Sequence, residues 1–245
     1  MSSLWRVAEV VSGTPETETS RTIGLKVAGL NGSLPGQHID IRLTADDGYT
    51  AVRSYSVASA GNHDVLEITV DELANGEVSP YLVRDLEVGD RLEIRGPVGG
   101  WFIWRPTDLN PVQLIAGGSG IVPLMAMIRA HKASDNPSQF RLLYSVKSPE
   151  AVFYREELAN LHEESRRFTL DYVYTRNAPQ GWPIEPRRLT AETLLAKILA
   201  VDAMPGIYIC GQTVFVETVA DWLVQAGYPA ASIRTERFGG TGGTR

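Results

Sequence analysis

The sequence predicts two domains, an antiparallel β domain followed by a parallel α/β domain, and three observations carry that expectation. The first hundred residues hold six short β-branched runs divided by Gly, Asn, Asp and Pro turns. From about Pro111 onward, continuous apolar runs alternate with helical stretches, the rhythm of βαβ units on a parallel sheet. Between them, RPTDLNP (Arg105–Pro111) has two prolines and polar residues, which suits a linker. The expected domains are therefore 1–105 and 111–245.

In chain order, Leu4–Val11, Thr22–Val27, Gln37–Leu43, Val52–Val57, Leu66–Val70 and Arg91–Ile94 read as strands. HIDIRL and LEITV alternate with period 2, as in a sheet with one wet face, so a six-stranded sandwich or barrel is expected. Ser79–Asp85 alone looks helical there, with Ser79 as N-cap and Pro80 at the first helical position. In the second half VQLIAG, FRLLYSV, FTLDYVYT and GIYICG read as strands buried on both faces. Ile121–Lys132, Pro149–Ser165, Ala191–Ala200 and Thr213–Ala226 read as the helices between and after them. The tail GGTGGTR has no helix behind it and reads as a mobile end, not a phosphate loop.

Composition narrows the class. The 245 residues carry a net charge of −6, which disfavours nucleic acid or an anionic membrane as partner. No apolar run approaches the roughly 20 residues needed to span a bilayer, and the N-terminus lacks the features of a secretory signal, so a cytoplasmic protein is expected. The single cysteine rules out an internal disulfide and a cluster held by four cysteines of this chain. His38, His63, His131 and His162 are scattered without metal-ligand spacing. Glu156–Glu157 and Glu163–Glu164 read as the wet side of a helix.

Three stretches could carry chemistry. In AGGSGIVP, Gly117, Gly118 and Gly120 permit a sharp turn and a close approach of phosphate to backbone. The helix that follows would aim its unpaired N–H groups at that space, and Pro123 fits its first turn. In RSYSVAS, Arg53 offers a fork for phosphate, Tyr55 a flat ring and the serines small hydrogen-bonding groups, with Ser54 and Ser56 on the opposite face. In NGEVSPYL, Gly76 opens a turn into the short helix near Ser79, a second possible anion site. GPVGGWF then sets Trp101 and Phe102 beside a flexible turn near the linker. Each stretch alone is compatible with ordinary turns and packing; together, in this order, they suit two dinucleotide-like ligands.

RSYSVAS, NGEVSPYL, GPVGGWF, AGGSGIVP, ICGQTVFVE and ERFGG, in that sequence, resemble the ordered motifs of the ferredoxin–NADP reductase superfamily, over nearly the whole chain from Trp5 to Gly240. The resemblance implies an N-terminal six-stranded antiparallel FAD-binding barrel and a C-terminal parallel-sheet α/β NAD(P)-binding domain. It implies that Arg53 meets the FAD pyrophosphate, with Tyr55 and Ser56 against the flavin, Ser56 near its N5, and Ser54 between them among the cofactor-binding residues. Gly76, Val78 and Ser79 would add phosphate contacts, and Thr69 and Val70 would lie along the ribityl or adenylate portion. Gly117, Gly118, Ser119, Gly120 and Pro123 would lie under the phosphates of NAD(P)H, with Cys210 and Gly211 beside the nicotinamide. Glu236 and Phe238 resemble the family's closing acid and aromatic, although the chain here continues as TGGTR, a tail that itself could cover the flavin.

The second strand of the α/β domain ends in YSVKSPE, with Ser145 and Lys147 ahead of its first acid, and Arg176, Arg187 and Arg188 follow. These groups suit a 2′-phosphate, which favours NADPH as donor, NADH remaining open. The expected function is an FAD-dependent reductase taking hydride from NAD(P)H. With no cluster in this chain, its acceptor is expected to be separate: a ferredoxin, an oxygenase component or a heme protein. The alternatives are a free flavin or ferric reductase and an electron-transfer subunit of a larger complex. A monomer is expected.

Overall fold

The computed structural model describes residues 4–61 and 64–239; His63 and the tail from Gly240 lie outside them. By its contacts the chain divides into two compact units. The first takes the chain to Arg105 together with Met125–Ser134, and the second takes Pro106–Leu124 and the chain from Asp135.

The first unit is an antiparallel sheet of six strands: β1 (Arg6–Thr17), β2 (Ser20–Val27), β3 (His38–Thr44), β4 (Thr50–Ser56), β5 (Val65–Asp71) and β6 (Arg91–Val98). Their order is β4-β3-β6-β1-β2-β5, and a Val57–Ile68 bridge joins the two ends. Alternation decides which side chains turn inward. Ile23, Leu25, Ile39, Ile41, Leu66, Ile68 and Ile94 fill the interior, with Leu82 and Leu86 from the segment that leads into β6. That segment holds one turn of π-helix, Tyr81–Asp85, marked by the bond from Leu86 N–H to the Tyr81 carbonyl (3.0 Å). Ser79 is not the N-cap that the sequence predicts. Its hydroxyl accepts the Leu73 N–H (3.0 Å), and no side chain caps the turn. A backbone donor six residues upstream outcompetes the helix end.

The second unit is a parallel sheet of β7 (Val112–Gly117), β8 (Phe140–Val146), β9 (Phe168–Tyr174), β10 (Gly206–Gln212) and β11 (Ile233–Phe238). α1 (Ile121–Lys132, whose residues from Met125 onward fall in the first unit), α2 (Arg155–Glu164), α3 (Ala191–Lys197) and α4 (Thr213–Gln225) form the connections. β11 is a strand that hydrophobic patterning does not announce, because IRTERF carries three charges and lies at the sheet's edge. The order β11-β10-β7-β8-β9 means that the chain builds outward from β7 in one direction, then returns to β7's other side. That reversal between β7 and β10 opens a crevice beyond their C-terminal ends, where ligands of such sheets bind. Among the described residues no helix is long and apolar enough to cross a membrane.

Candidate functional site

In the first unit the candidate residues centre on β4 and the loop after β5. β4 pairs with β3, setting Tyr55 opposite Ile39 and Ser56 opposite His38. Tyr55 packs against the barrel core, and burial pushes its phenol up to about 12, so it remains a hydrogen-bond donor at neutral pH. Arg53, on the same face two residues earlier, is half exposed. Its Nη1 donates to the Val52 carbonyl (2.8 Å) and its Nη2 to Glu77 Oε2. Glu77 also accepts the Tyr49 hydroxyl through Oε1 (3.0 Å).

Ser54 is committed elsewhere. Its hydroxyl donates to Asp40 Oδ1 (2.6 Å), while Arg95 Nη2 donates to Asp40 Oδ2 (2.6 Å). Burial alone would raise the Asp40 carboxyl, but the Ser54 and Arg95 hydrogen bonds outweigh it and hold it below the usual range. Thr69 is buried with its hydroxyl 2.7 Å from that of Thr22, and Val70 lies in the barrel core. Their side chains serve the barrel.

The loop before the π turn is folded on Leu73. Its carbonyl accepts the Gly76 N–H (2.8 Å), and its own N–H goes to Ser79. A Cβ on Gly76 would come within 2.7 Å of the Ser79 Oγ, so glycine is what lets the loop close. Val78 is buried in the core. The main chain from Gly76 to Ser79 is thus what this loop can offer a ligand.

In the second unit the glycine turn stands at the crevice. Gly117 ends β7, and residues Gly118–Gly120 form one 3₁₀ turn into α1. Gly118 has φ of 55°, the left-handed region where glycine carries no Cβ penalty. A Cβ on Gly120 would fall on the Cys210 carbonyl, and one on Gly211 would sit 3.3 Å from the Gly117 Cα and 2.8 Å from the Phe215 ring. The ends of β7 and β10 are therefore packed backbone to backbone, with Phe215 from the first turn of α4 laid against them. Nothing lies within 4 Å of a Cβ on Gly118, so the turn opens on that side. Pro123 is buried in the first turn of α1, where its missing N–H strands no donor.

Cys210 is fully buried on β10, opposite Ala116 of β7 and Glu236 of β11. Burial, and after it the charge of Glu236, hold its thiol well above the ordinary value, so it is present as a neutral thiol. Phe238 lies opposite Gln212, half buried. At the ends of β8 and β9 the Lys147 carbonyl accepts the N–H groups of Arg176 (2.9 Å) and Asn177 (3.1 Å). That brings together two exposed basic residues far apart in sequence. Ser145 pairs with Gly117 and is buried. Arg188 lines a shallow cleft along β9 with Tyr172, Tyr174 and Trp182. Among the described residues no group of three or more His, Cys, Asp or Glu could hold a metal ion.

Sequence reasoning did not single out Glu77, Tyr49 or Phe215. Glu77 and Phe215 lie inside quoted motifs, but what makes each matter is a partner at a distance along the chain, which no local pattern encodes.

The arrangement fits diphosphate-bearing cofactors. A guanidinium that already holds a carboxylate is disposed to take an anion. A turn whose glycines are closed behind by Cys210 and Phe215 but open in front leaves room for phosphates beside the start of α1.

Two family models match this chain: the oxidoreductase FAD-binding domain over residues 19–103 and the oxidoreductase NAD-binding domain over residues 114–221. The chain is 29% identical over 210 residues to the glycine betaine monooxygenase reductase subunit of Chromohalobacter salexigens, covering 84% of this chain and 56% of that protein. It is 28% identical over 204 residues to NADH-cytochrome b5 reductase 1 of Aspergillus oryzae, covering 80% of this chain and 69% of that one. In structure it is similar to a ferredoxin NADP+ reductase from Neisseria gonorrhoeae with bound FAD and NADP (TM-score 0.81, 21% identity, 95% and 98% of the two chains). The chain thus spans little more than half the length of the first of these relatives.

Proposed function

The chain belongs to the ferredoxin–NADP reductase superfamily, and on that premise we propose that it takes hydride from NADPH onto FAD and passes electrons to a separate acceptor. What supports the reading is that each family model covers a site able to take a dinucleotide. Within 19–103 it is the half-exposed Arg53, already holding an anion. Within 114–221 it is the glycine turn at the crevice beside β10. On this reading residues 1–105 form the FAD-binding domain and 111–245 the NAD(P)-binding domain.

Bound FAD supplies the chemistry that side chains lack, accepting hydride and releasing electrons singly. The chain's own residues bind and orient. Arg53 holds the FAD diphosphate, and the Gly76–Ser79 main chain assists. Tyr55, its phenol protonated, packs beside the flavin, and Ser56 donates a hydrogen bond to the ring. Ser54 acts through Asp40 and Arg95, fixing β4 against its neighbours. Thr69 and Val70 support the barrel wall behind. Gly117–Gly120 and the start of α1 take the donor's diphosphate, while the ends of β7 and β10 at Gly211 back the nicotinamide, with the buried, neutral Cys210 thiol behind that surface and not on it. Glu236 and Phe238, at the end of β11, complete that surface.

Lys147 and Arg176, with Ser145 and Arg188, favour the 2′-phosphate of NADPH. A second reading, NADH as donor, is favoured by the name of the Aspergillus relative. For the acceptor, the Chromohalobacter relative's name points to an oxygenase component, the Aspergillus relative's to a heme protein and the Neisseria structure's to a ferredoxin.

Anaerobic mixing of the FAD-loaded protein with NADPH or NADH tests both readings. Rapid bleaching of the flavin by NADPH is expected, with the double variant Lys147→Ala/Arg176→Ala losing about 10- to 100-fold in NADPH affinity and little in NADH affinity. Equal losses for both donors would remove these residues from the 2′-phosphate. A protein that takes up no FAD would sink the whole reading.

A further inference from the structure

We propose that Glu77 is a built-in counter-anion on the cofactor's arginine, one that the diphosphate must displace, so that this side chain sets how tightly FAD is held. The inference rests on the reading of Arg53 as the diphosphate ligand and adds a residue of opposite effect.

The geometry is specific. A phosphate engages a guanidinium best through two parallel N–H donors. In Arg53 both terminal nitrogens are already engaged, Nη1 by the Val52 carbonyl and Nη2 by the Glu77 carboxylate. The carboxylate is not there by chance of rotamer, because its second oxygen accepts from the Tyr49 hydroxyl (3.0 Å). Tyr49 precedes β4 and Glu77 stands between Gly76 and Val78, so three residues from two segments converge on one ion pair. Both charged side chains are about half exposed, 50% for Arg53 and 49% for Glu77, so neither is locked in by packing.

An incoming diphosphate meets two costs at this point. It must break the Arg53–Glu77 pair, which at an exposed site is weak, and it must tolerate a carboxylate nearby of its own sign. Both costs oppose binding, and both vanish when the carboxylate is made neutral. Because the pair is weak, the diphosphate with its greater charge wins the exchange, and Glu77 swings to solvent. Without the cofactor the pair neutralises Arg53 and ties the Gly76–Ser79 loop to β4. Glu77 is thus a positioning residue whose removal strengthens the site, whereas simple damage to the fold weakens it.

The test is FAD binding to flavin-stripped protein, followed by quenching of flavin fluorescence, with ADP as a competitor that carries the diphosphate without flavin and riboflavin as the probe without diphosphate. Glu77→Gln is expected to tighten FAD and ADP about 3- to 10-fold and to leave riboflavin unchanged. Tyr49→Phe, which frees one carboxylate oxygen, should tighten FAD by about 2-fold. Arg53→Ala should weaken FAD at least tenfold, and Glu77→Gln added to it should tighten FAD less than it does in the parent, because only the like-charge repulsion is then left to remove. If Glu77→Gln weakens FAD or leaves it unchanged while Arg53→Ala still weakens it, the counter-anion role is overturned and the assignment of Arg53 stands. If Arg53→Ala leaves FAD affinity intact, the assignment itself falls and the inference with it.

Discussion

The two candidate sites are built from opposite materials. At the ends of β7 and β10 the site is backbone: Gly117, Gly120 and Gly211 approach Cys210 and Phe215 so closely that any Cβ collides. Around β4 it is side chain: Arg53, Glu77 and Tyr49 reach one another across a half-exposed surface and could be rearranged at little cost to the barrel. The first kind of site cannot be altered without disturbing the sheet that carries it. The second can be tuned residue by residue. Mutations should therefore separate the two, with stability following ligand binding in one and staying apart from it in the other.

The largest effect is expected at Gly120. Gly120→Val drives a Cβ onto the Cys210 carbonyl, and neither backbone can retreat, so a loss of about 3 kcal/mol or more is expected together with loss of NAD(P)H binding. Gly118→Ala, two residues away, meets open space and bears only the strain of its φ of 55°, about 1–2 kcal/mol, with the fold retained. Denaturant midpoints would separate the two. Similar losses for both would mean that the close packing at Gly120 is not what requires glycine there.

A smaller effect belongs to Asp40, the buried acid of the barrel. Its carboxyl is held below the usual range in the folded state, so its stabilisation is present above the unfolded value near 4 and is lost as pH falls through the folded value. Asp40→Asn should lower stability at neutral pH by about 1–3 kcal/mol, because it leaves Arg95 without its charge partner. The gap between variant and parent should narrow on acidification below about pH 4. A gap that is constant with pH would mean that shape, and not charge, is what Asp40 supplies.

The same contrast explains what could be read from the sequence. Patterning found the six barrel strands, four strands of the parallel sheet, and α1 with its observed bounds, because burial of alternating or continuous apolar residues is written locally. It found the glycine turn for the same reason, since a left-handed φ and a Cβ-free contact leave glycine as the residue that fits. It did not find β11, whose charged residues at a sheet edge carry no apolar period. Nor did it find Glu77, which matters through Arg53, 24 residues earlier, and not through its neighbours. The capping role read for Ser79 failed because the Leu73 N–H claims the same hydroxyl. Backbone-built features are legible, and side-chain pairs that cross the fold are not.

The smallest expected effect tests the backbone-built site chemically. Cys210 is wholly buried, and burial first, then the charge of Glu236, holds its thiol well above the ordinary value. A raised folded value means that the neutral thiol is favoured in the native protein. This contribution to stability is complete below the unfolded value near 8.5 and declines as pH rises past it, where only the unfolded chain ionises freely. Native protein at pH 8 should therefore react with a thiol reagent at least about a hundredfold more slowly than unfolded protein, at a rate set by opening of the sheet. Glu236→Gln removes only the second cause, so labelling should stay slow while the alkaline loss of stability becomes slightly less steep. Fast labelling of the native parent would show Cys210 open to solvent, and would break the account of β7 and β10 closed backbone to backbone.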